Sequence, residues 1–515
     1  METRLDAAGG PPTDGGALRY GMASLDLGSV DEHNLALRER LGGLGPTEMD
    51  AGTLLVIPSI TFPEVELRKI VGIQFYEERL LCLLLLLKNP RLRVVYVSSL
   101  PIDPFIVDYY LSFLPDPESA RDRLELVAVW DEEPRALTYK LLDQPDVMDD
   151  IREKIDDPGE ACAVVFNVTP AEQALCRSFG VALYGPHAGL IHLGSKSGSR
   201  KTARDAGVPV LEGAEDLMSL AEIESAIATL RGRRPDAGAA VIKLNNGFSG
   251  QGNAIVELDR VTSPLTATET LFCAENESWA SYLPKVEAEG AIVEELTRGT
   301  GTVSPSVQLR ILPDGSSEVV STHDQILGGP DDQVYLGCRF PASEAYRAAI
   351  QEQGLRVAEV LASKGVVGSF GIDFVVVPRR SAPKAYLSEI NLRLGGTTHP
   401  YVMARLATAG EYDPRRGELL VGGRPRVYVS TDNLKSKAYA ALNPREIVEA
   451  LEAAGLAFDR DSRTGVTLHL LGALKDHGKL GIVCISETPA GAEELELRTV
   501  EALVRLVKPR SQPSD

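Results

Sequence analysis

Five short β-rich runs alternate with longer helix-like segments between residues 51 and 185, and no other feature constrains the fold as strongly. The runs are TLLVIPSI, LRVVYVSS, LELVAVW, AVVFNV and VALYG. Strands separated by helices pair side by side in a mostly parallel sheet that the helices cover. The sequence therefore predicts a Rossmann-like α/β domain at 51–185. The first run continues into PSITFPEVE without the Gly-rich turn that admits a pyrophosphate, which disfavours NAD binding.

The chain has 515 residues, too many for one hydrophobic core. We predict a flexible Gly/Pro-rich leader at 1–50, because AAGGPPTDGG and LGGLGP offer little apolar surface. The α/β domain follows, then an α+β segment at 186–411 with hairpin signals such as PDGS (313–316). A small α+β domain is predicted at 412–510, with strands near VYVS, VTLHLL and GIVCIS.

Composition excludes several classes of function. The net charge of -20 would repel a phosphate backbone, so nucleic acid is not an expected partner. The six cysteines have no CxxC spacing, which argues against a zinc or redox pair. The apolar run Leu80–Leu87 is far shorter than the ~20 residues that span a bilayer. We expect a cytoplasmic protein without a membrane segment, and its oligomeric state is not predicted.

A basic segment, SKSGSRKTARDAGVPV, follows a near match to a P-loop that starts at Gly189. Ser195 stands where the phosphate-binding lysine of that motif belongs, so a P-loop is not predicted. Arg200 and Lys201 open a short helix that ends at Gly207. Taken alone, the segment is more typical of a solvated basic helix face.

The next segment, VIKLNNGFSGQGNAIVEL, places Lys243 on a strand before a glycine-rich loop. Glycines let backbone N–H groups turn toward an anion, and the lysine supplies a point charge. The candidate phosphate contacts are Lys243, Gly247, Ser249, Gly250 and Gly252. An ordinary glycine-rich hairpin is the alternative.

Glu294, Glu295 and Leu296 end the β-rich run AIVEEL. Exposed backbone groups there could pair with the edge of an adenine, and a carboxylate could accept from its exocyclic amine. An edge strand with no ligand explains the pattern equally well.

The strongest local signal is a pair of runs, SFGIDFVVV and AYLSEINLRLGG, joined by PRRSAPK. A hairpin closed between Val377 and Ala385 places Asp373 opposite Glu389, with Asn391 on the same face. Two opposed carboxylates repel one another, so a cation between them is expected, and oxygen ligands favour Mg²⁺. Arg393 follows on the same face. The alternative is a solvated strand face.

Together these elements resemble the ATP-grasp superfamily: a basic helix start, Lys243, a glycine-rich loop, Glu-Glu-Leu, an aspartate strand and EINLR. Four segments are similar in sequence to the peptide ligases of pheganomycin biosynthesis, namely KLNNGFSGQGNAIVE, SVQLRILPDG, THDQILGG and SEINLRLGGTTHPY. This resemblance implies a pre-ATP-grasp domain, an ATP-grasp core and a family-specific C-terminal domain. It also implies ATP and Mg²⁺ as cofactors and a role in natural product biosynthesis.

The resemblance further implies roles for individual residues. Arg200 or Lys201, together with Lys243, would contact phosphate and adenine beneath the glycine loop, and Glu294–Leu296 would form the adenine hinge. The implied magnesium ligands are Asp373, Glu389 and Asn391, and Arg393 would contact the transferring phosphate. Gly301 stands where many relatives have a ribose-binding acid, so no ribose contact is assigned.

The expected activity is ATP-dependent ligation of a carboxylic acid, activated as an acyl phosphate, to an amine. The resemblance implies an amino-acid-like acid and a peptide N-terminus as the amine. Within the hairpin after Ser304 we expect Arg310 to orient the phosphate or carboxylate, and Asp324 to meet a cationic substrate group. Two alternatives remain: a small-molecule kinase on the same fold, and a nucleotide-binding module without catalysis. In the C-terminal unit, His469 is interpreted as a buried core histidine.

Overall fold

The first layer of the protein is a five-stranded parallel sheet. The structure is a computed structural model that describes residues 25–247, 252–261, 265, 270–274, 277–299, 301–328, 334–380 and 382–507. Its strands follow the order β3-β2-β1-β4-β5. Leu54 and Val56 of its central strand face one apolar core, and Leu55 and Ile57 face another. Both faces are therefore covered, as the alternation in the sequence predicts. The strands are β1 (Gly52–Ile57), β2 (Leu92–Ser98), β3 (Leu124–Ala128), β4 (Ala161–Val165) and β5 (Ala182–Tyr184).

The helices of this layer include one that the sequence did not predict. They are α1 (Val30–Leu41), α2 (Glu64–Leu67), α3 (Pro104–Leu111), α4 (Pro117–Arg121), α5 (Leu137–Leu142), α6 (Pro145–Lys154) and α7 (Pro170–Phe179). Segments of 3₁₀ helix span Pro46–Glu48, Ile73–Lys88, Pro158–Glu160 and Ala188–Gly194.

Helix α1 corrects the predicted leader of residues 1–50. Ser29 caps it in a reciprocal capping box with Glu32, and Leu37 and Leu41 are buried. The Gly/Pro signals that suggested flexibility flank this helix rather than interrupt it. Residues 1–24, which make up the rest of the predicted leader, lie outside the described residues.

His33 links α1 to the rest of the first layer through two contacts that require a neutral imidazole ring. Its Nε2 lies 2.8 Å from the Gly185 carbonyl oxygen, and its Nδ1 lies 3.1 Å from the Gln173 amide nitrogen. The partners fit a neutral ring that donates from Nε2 and accepts at Nδ1. Burial lowers the pKa of His33 to about 4.

We expect the free energy of unfolding to fall by about 2 kcal/mol through His33 alone between pH 7 and pH 5. The unfolded chain binds a proton near pH 6.5 and the folded chain does not, so this stability is present above pH 6.5 and is lost as the pH falls toward about 4. Urea unfolding of the wild type and the His33→Gln variant across this range measures the difference in slope. The exposed His192→Gln variant should keep the slope of the wild type, and an equal slope in His33→Gln would contradict the assignment.

A second layer is an antiparallel sheet with the order β6-β10-β7-β8-β9. Strand β10 lies between β6 and β7, so the run that ends in Glu294–Leu296 is not an edge strand. The elements are β6 (Gly213–Leu217), β7 (Ala239–Leu244), β8 (Asn253–Glu257), β9 (Thr270–Phe272), β10 (Ala291–Leu296), α8 (Lys196–Asp205), α9 (Leu220–Arg233) and α10 (Trp279–Glu289).

The third layer is a ten-stranded sheet that carries the Asp373–Glu389 hairpin at one side. Its order is β15-β14-β11-β12-β13-β18-β17-β16, and β20 pairs with both β18 and β19. The strands are β11 (Pro305–Ile311), β12 (Ser317–Gly328), β13 (Val334–Phe340), β14 (Gly368–Val377), β15 (Lys384–Asn391), β16 (Glu411–Asp413), β17 (Glu418–Val421), β18 (Arg424–Lys435), β19 (Gly465–His469) and β20 (Lys479–Ser486). The helices are α11 (Glu344–Ser363), α12 (Thr398–Thr408), α13 (Pro444–Ala453), α14 (Ala473–His477) and α15 (Pro489–Val507), with a short helical segment at Lys437–Ala441.

The predicted C-terminal strands thus form, but they extend the same sheet that carries the Asp373–Glu389 hairpin. Strand β18 pairs with β13, and a Cβ on Gly337 would lie 2.3 Å from the Ser430 carbonyl oxygen. Glycine is needed at this position because the two backbones approach closely. Among the residues that the structure describes, no helix is both long and apolar enough to span a bilayer.

Candidate active site

A cleft of about 1210 Å³ lies where the three layers meet. One wall comes from β7 and β10 of the second sheet, the opposite wall from β14 and β15, and the end from the segment 60–79 and from β18. Single-ligand pockets measure roughly 300–1000 Å³. The cleft therefore has room for more than one substrate.

The predicted pairing of Asp373 with Glu389 is confirmed, but the hairpin closes with Val377 opposite Lys384 rather than Ala385. Asp373 pairs with Glu389 and Gly371 with Asn391, but Phe374 pairs with Leu387. Ser388 is thus an extra residue, a β-bulge, and it lines the cleft beside Glu389. Bulges re-aim side chains next to active sites.

Asp373 is held by two amides and lies close to a second carboxylate. Its Oδ1 accepts a hydrogen bond from Gln325 Nε2 at 2.7 Å, and its Oδ2 accepts one from Asn391 Nδ2 at 2.9 Å. Burial, and then the charge of Glu389, raise the pKa of Asp373 to about 6, against the opposing effect of Arg393 and Lys196. Two converging carboxylates and an amide in a partly buried site are a donor set that fits Mg²⁺.

Arg393 lies partly buried beside this pair, and desolvation of its guanidinium lowers its pKa. Its guanidinium lies 5.7 Å from the centre of the Phe62 ring, and Nη1 donates to the Leu394 carbonyl at 3.3 Å. Asp373 and Glu389 supply the compensating negative charge. The guanidinium thus lies where it can face an anion held in the cleft.

Lys196 is the principal residue of the cleft that the sequence reasoning missed. Helix α8 begins at Lys196, with Ser195 as its N-cap, and not at Arg200. Lys196 is 5% exposed, and its ammonium forms an ion pair with Glu389 and donates to the Gly247 carbonyl at 3.1 Å. Ser195 could have indicated it, because serine is a favoured N-cap residue and the residue after an N-cap is the first of the helix. The same serine is the residue that excludes a P-loop.

Arg200 and Lys201 do not line the cleft, which corrects their predicted contacts with ATP. Arg200 is buried behind the wall, where it donates to Glu294 at 3.1 Å and to Glu215 at 3.2 Å. The Lys201 side chain is half exposed and paired with Asp216 in a neighbouring groove. Of the basic side chains on α8, only Lys196 in the first turn lines the cleft.

Lys243 does reach the cleft, where it forms an ion pair with Glu294 and approaches Ser388 Oγ at 3.4 Å across the two sheets. Gly247 also lines the cleft. Gly252 lies behind it, and a Cβ on either glycine would be 3.1 Å from the Cα of the other. Ser249 and Gly250 lie outside the described residues.

The Glu294–Leu296 strand end borders an apolar part of the cleft that is lined by Leu211, Val241, Leu296 and Phe374. The Glu294 carboxylate is held between Arg200 and Lys243, and the Glu295 carboxylate pairs with Arg234 at 2.7 Å. The Glu295 amide donates to the Glu212 carbonyl at 2.8 Å, so it is already occupied. A slot of apolar side chains that ends in a few polar groups is typical of a site for a flat base.

Arg310 lies away from the cleft, which corrects its expected role in orienting a phosphate or carboxylate. It forms ion pairs with Glu318 and, at 2.6 Å, with Glu48. Despite its burial, these carboxylates raise its pKa. Arg310 therefore joins β11 to the segment after α1.

Asp324 lines the cleft at its far end. Its Oδ1 accepts from the Tyr346 hydroxyl at 2.6 Å, and its Oδ2 accepts from the Ser343 amide at 3.0 Å. Burial raises its pKa. The structure thus brings together Lys243, Gly247, Glu294–Leu296, Asp373, Glu389, Asn391, Arg393 and Asp324, and it adds Lys196.

Comparisons with known proteins agree with this geometry. Residues 265–414 match a family model described as IQCH-like, ATP-grasp, and residues 446–499 match one described as PGM1 C-terminal domain. The chain is 32% identical over 466 residues to L-propargylglycine--L-glutamate ligase of Streptantibioticus cattleyicolor, an alignment that covers 88% of this chain and 94% of that protein.

A second relative is IQ motif-containing protein H of Danio rerio, 19% identical over 504 residues, and the chain spans about half of its length (47%). Among solved structures, a biotin carboxylase complex from Campylobacter jejuni has a TM-score of 0.53 at 13% identity and covers 90% of this chain and 96% of that chain. The ADP complex of N5-carboxyaminoimidazole ribonucleotide synthetase has a TM-score of 0.51 at 12% identity and covers 89% and 99%. At such identities these structures establish the fold.

Proposed function

We propose a substrate class for this chain, which belongs to the pheganomycin-type peptide ligases of the ATP-grasp superfamily and is an ATP-dependent ligase that forms C–N bonds. It activates an amino acid, or an N-modified amino acid, and joins it to the amine of a peptide or a second amino acid. The name of the 32% identical relative, which pairs two amino acids, supports this substrate class. The carboxylate oxygen of the first substrate attacks the γ-phosphorus, the bond to the β–γ bridging oxygen breaks, and ADP leaves. The amine then attacks the acyl carbon, loses a proton, and displaces phosphate.

The observation that carries the proposal is the convergence of two lysines and the Asp373–Glu389–Asn391 set in one cleft. Phosphoryl transfer needs little covalent chemistry from the protein, because alignment and charge neutralisation supply most of the rate. Lys196 and Lys243 reach the cleft from the second-layer side and Arg393 from the third sheet. Such an arrangement surrounds a triphosphate with positive charge.

Asp373, Glu389 and Asn391 are the residues that would hold Mg²⁺. When bound, the ion neutralises the charge on phosphate oxygens. Gln325 and Asn391 fix the orientation of the Asp373 carboxylate before any ligand arrives. Lys196, now paired with Glu389, is placed to transfer its contact to a phosphate oxygen.

Adenine fits the apolar slot of Leu211, Val241 and Phe374 beside the Glu294–Leu296 strand end. The acid and the amine would occupy the rest of the cleft, toward Asp324 at one end and toward Asp432 and Asn433 of β18 at another. The C-terminal strands thereby contribute to the amine site. The apolar wall and the Gly247 segment would limit the access of water to the activated acid.

Asp324→Asn should raise the KM for the acid or for the amine by about 10-fold or more, with the KM for ATP unchanged, because an ion pair between a carboxylate and a cationic substrate group is lost. Tyr346 and Ser343 hold the carboxylate in place, and asparagine preserves its shape. Initial rates with each substrate varied in turn give the three KM values. Glu359→Gln, an exposed acid on α11, is the matched control. Unchanged KM values for every accepted acid and amine would remove Asp324 from the substrate site.

The proposed activation step can be tested with hydroxylamine, which intercepts acyl phosphates. The protein is incubated with ATP, Mg²⁺ and a panel of amino acids, and both phosphate release and hydroxamate are measured. Hydroxamate that requires ATP and one class of acid supports the proposal. A stable phosphorylated product without hydroxamate would instead indicate a kinase, and ATP binding without turnover of any acid in the panel would favour a module without catalysis.

A further inference from the structure

Three buried side chains outside the nucleotide site converge on one point. His399 Nε2 lies 3.1 Å from Asp432 Oδ1, His469 Nε2 lies 2.6 Å from the same oxygen, and the two Nε2 atoms lie 3.1 Å apart. All three residues are less than 5% exposed. They come from α12, β18 and β19, so the fold, rather than local sequence, assembles the cluster.

Hydrogen bonds account for the two contacts with Asp432 Oδ1, but they do not account for the 3.1 Å approach of the two Nε2 atoms. If both Nε2 atoms carry a proton, two hydrogens crowd between rings that point at the same oxygen. If one lacks a proton, the other has a single N–H to share between a nitrogen and an oxygen. A cation at the common point would accept all three lone pairs at once.

The spacing also agrees with metal coordination. Two ligands about 2.0–2.1 Å from a tetrahedral Zn²⁺ lie ~3.3 Å apart. Two of the three observed separations, 3.1 Å each, are close to this value, whereas the 2.6 Å between His469 Nε2 and Asp432 Oδ1 is shorter. Imidazole nitrogens favour Zn²⁺ and related transition metals, whereas the all-oxygen set at Asp373 favours Mg²⁺.

Arg79 does not compete for the coordinating oxygen. Its guanidinium forms an ion pair with Asp432 Oδ2, the other carboxylate oxygen. Carboxylates that bind metals are commonly oriented by such outer hydrogen bonds. Arg79 and Asp432 both line the cleft, so the cluster lies directly behind its wall.

We propose that His399, Asp432 and His469 bind one divalent transition-metal ion, Zn²⁺ by the chemistry of the ligands. The ion cross-links α12, which follows the catalytic hairpin, to β18 and β19. It fixes the Arg79–Asp432 part of the cleft wall. His469, interpreted from the sequence as a core histidine, is on this account a ligand.

Metal content is the direct test, and it does not depend on turnover. Protein freed of metal is dialysed against Zn²⁺ or Co²⁺ in the presence of excess Mg²⁺, which saturates the oxygen site. We expect about one Zn²⁺ per chain, a raised Tm, and visible Co²⁺ absorption of the kind given by imidazole ligands in four- or five-coordinate sites. His399→Gln and His469→Gln should lose at least about 10-fold in affinity, and the exposed His192→Gln should lose nothing.

Metal binding by the wild-type protein alone can contradict the proposal, so the test does not depend on whether the variants fold. Less than about 0.1 ion per chain, with neither a Tm shift nor a Co²⁺ band, would show that the cluster is a hydrogen-bonded Asp–His network without metal. Equal metal content in His192→Gln and His469→Gln would place any bound ion elsewhere. None of these outcomes depends on whether the ligase reaction is observed.

Discussion

Glu389→Ala should lower kcat by at least about 1000-fold while the fold stays intact, because it removes one of the two carboxylates that would hold Mg²⁺ on the phosphates. Glu389 lies opposite Asp373 and pairs with Lys196, so its loss removes an oxygen ligand and frees an ammonium that attracts the same phosphates. The effect should appear in kcat as well as in the KM for ATP. Steady-state rates with ATP and Mg²⁺ each varied in turn measure both constants.

The control for this variant is Glu359→Ala, which removes an exposed carboxylate on α11. Far-UV circular dichroism and Tm must match the wild type for either variant to be interpreted. If Glu389→Ala retains more than about a tenth of the wild-type kcat at saturating Mg²⁺, Glu389 is not a metal ligand.

Lys196→Met should lower kcat/KM for ATP by about 100- to 1000-fold, since a buried cation that faces the transferring phosphate stabilises the transition state. Methionine keeps the length and apolar stem of lysine. Lys201→Met is a matched control on the same helix, since its ammonium is paired with Asp216 outside the cleft. We expect that control to retain activity within about 3-fold.

The activities of Lys196→Met and Lys201→Met distinguish the phosphate contact inferred from the structure from the one predicted from the sequence. A large loss at Lys201 and a small loss at Lys196 would reverse the assignment made from the geometry. Binding of a fluorescent ATP analogue to both variants shows whether the loss lies in affinity or in the chemical step. Tm is measured as well, because removal of Lys196 leaves Glu389 without its ion-pair partner.

Much of the fold was accessible from the sequence because its signals are local and repetitive. The parallel sheet followed from the alternation of strands and helices, and the pairing of Asp373 with Glu389 followed from their spacing. The bulge at Ser388 was not accessible, although it determines which side chain accompanies Glu389 into the cleft. A bulge inserts one residue without a change in composition, so pattern alone does not reveal it.

The errors share a physical cause. Arg310 and Arg200 have the residue type expected at a phosphate site, but ion pairs with Glu48 and Glu294, which are distant in sequence, hold them outside the cleft. Helix α1 was taken for part of a leader because its stability comes from contacts with distant residues such as Gly185 and Gln173. His399 and His469 are 70 residues apart, and no local pattern links them.

The pairing of β18 with β13 bears on how the chain folds during synthesis. Strand β13 ends at Phe340, and its partner begins at Arg424, so the ribosome makes more than 80 residues before this edge can be closed. Until then β13 exposes unpaired backbone groups, which are a template for association with other nascent chains. Truncation before β18 would leave the same edge open permanently. The C-terminal strands therefore protect the catalytic sheet from aggregation as well as contributing to the wall of its cleft.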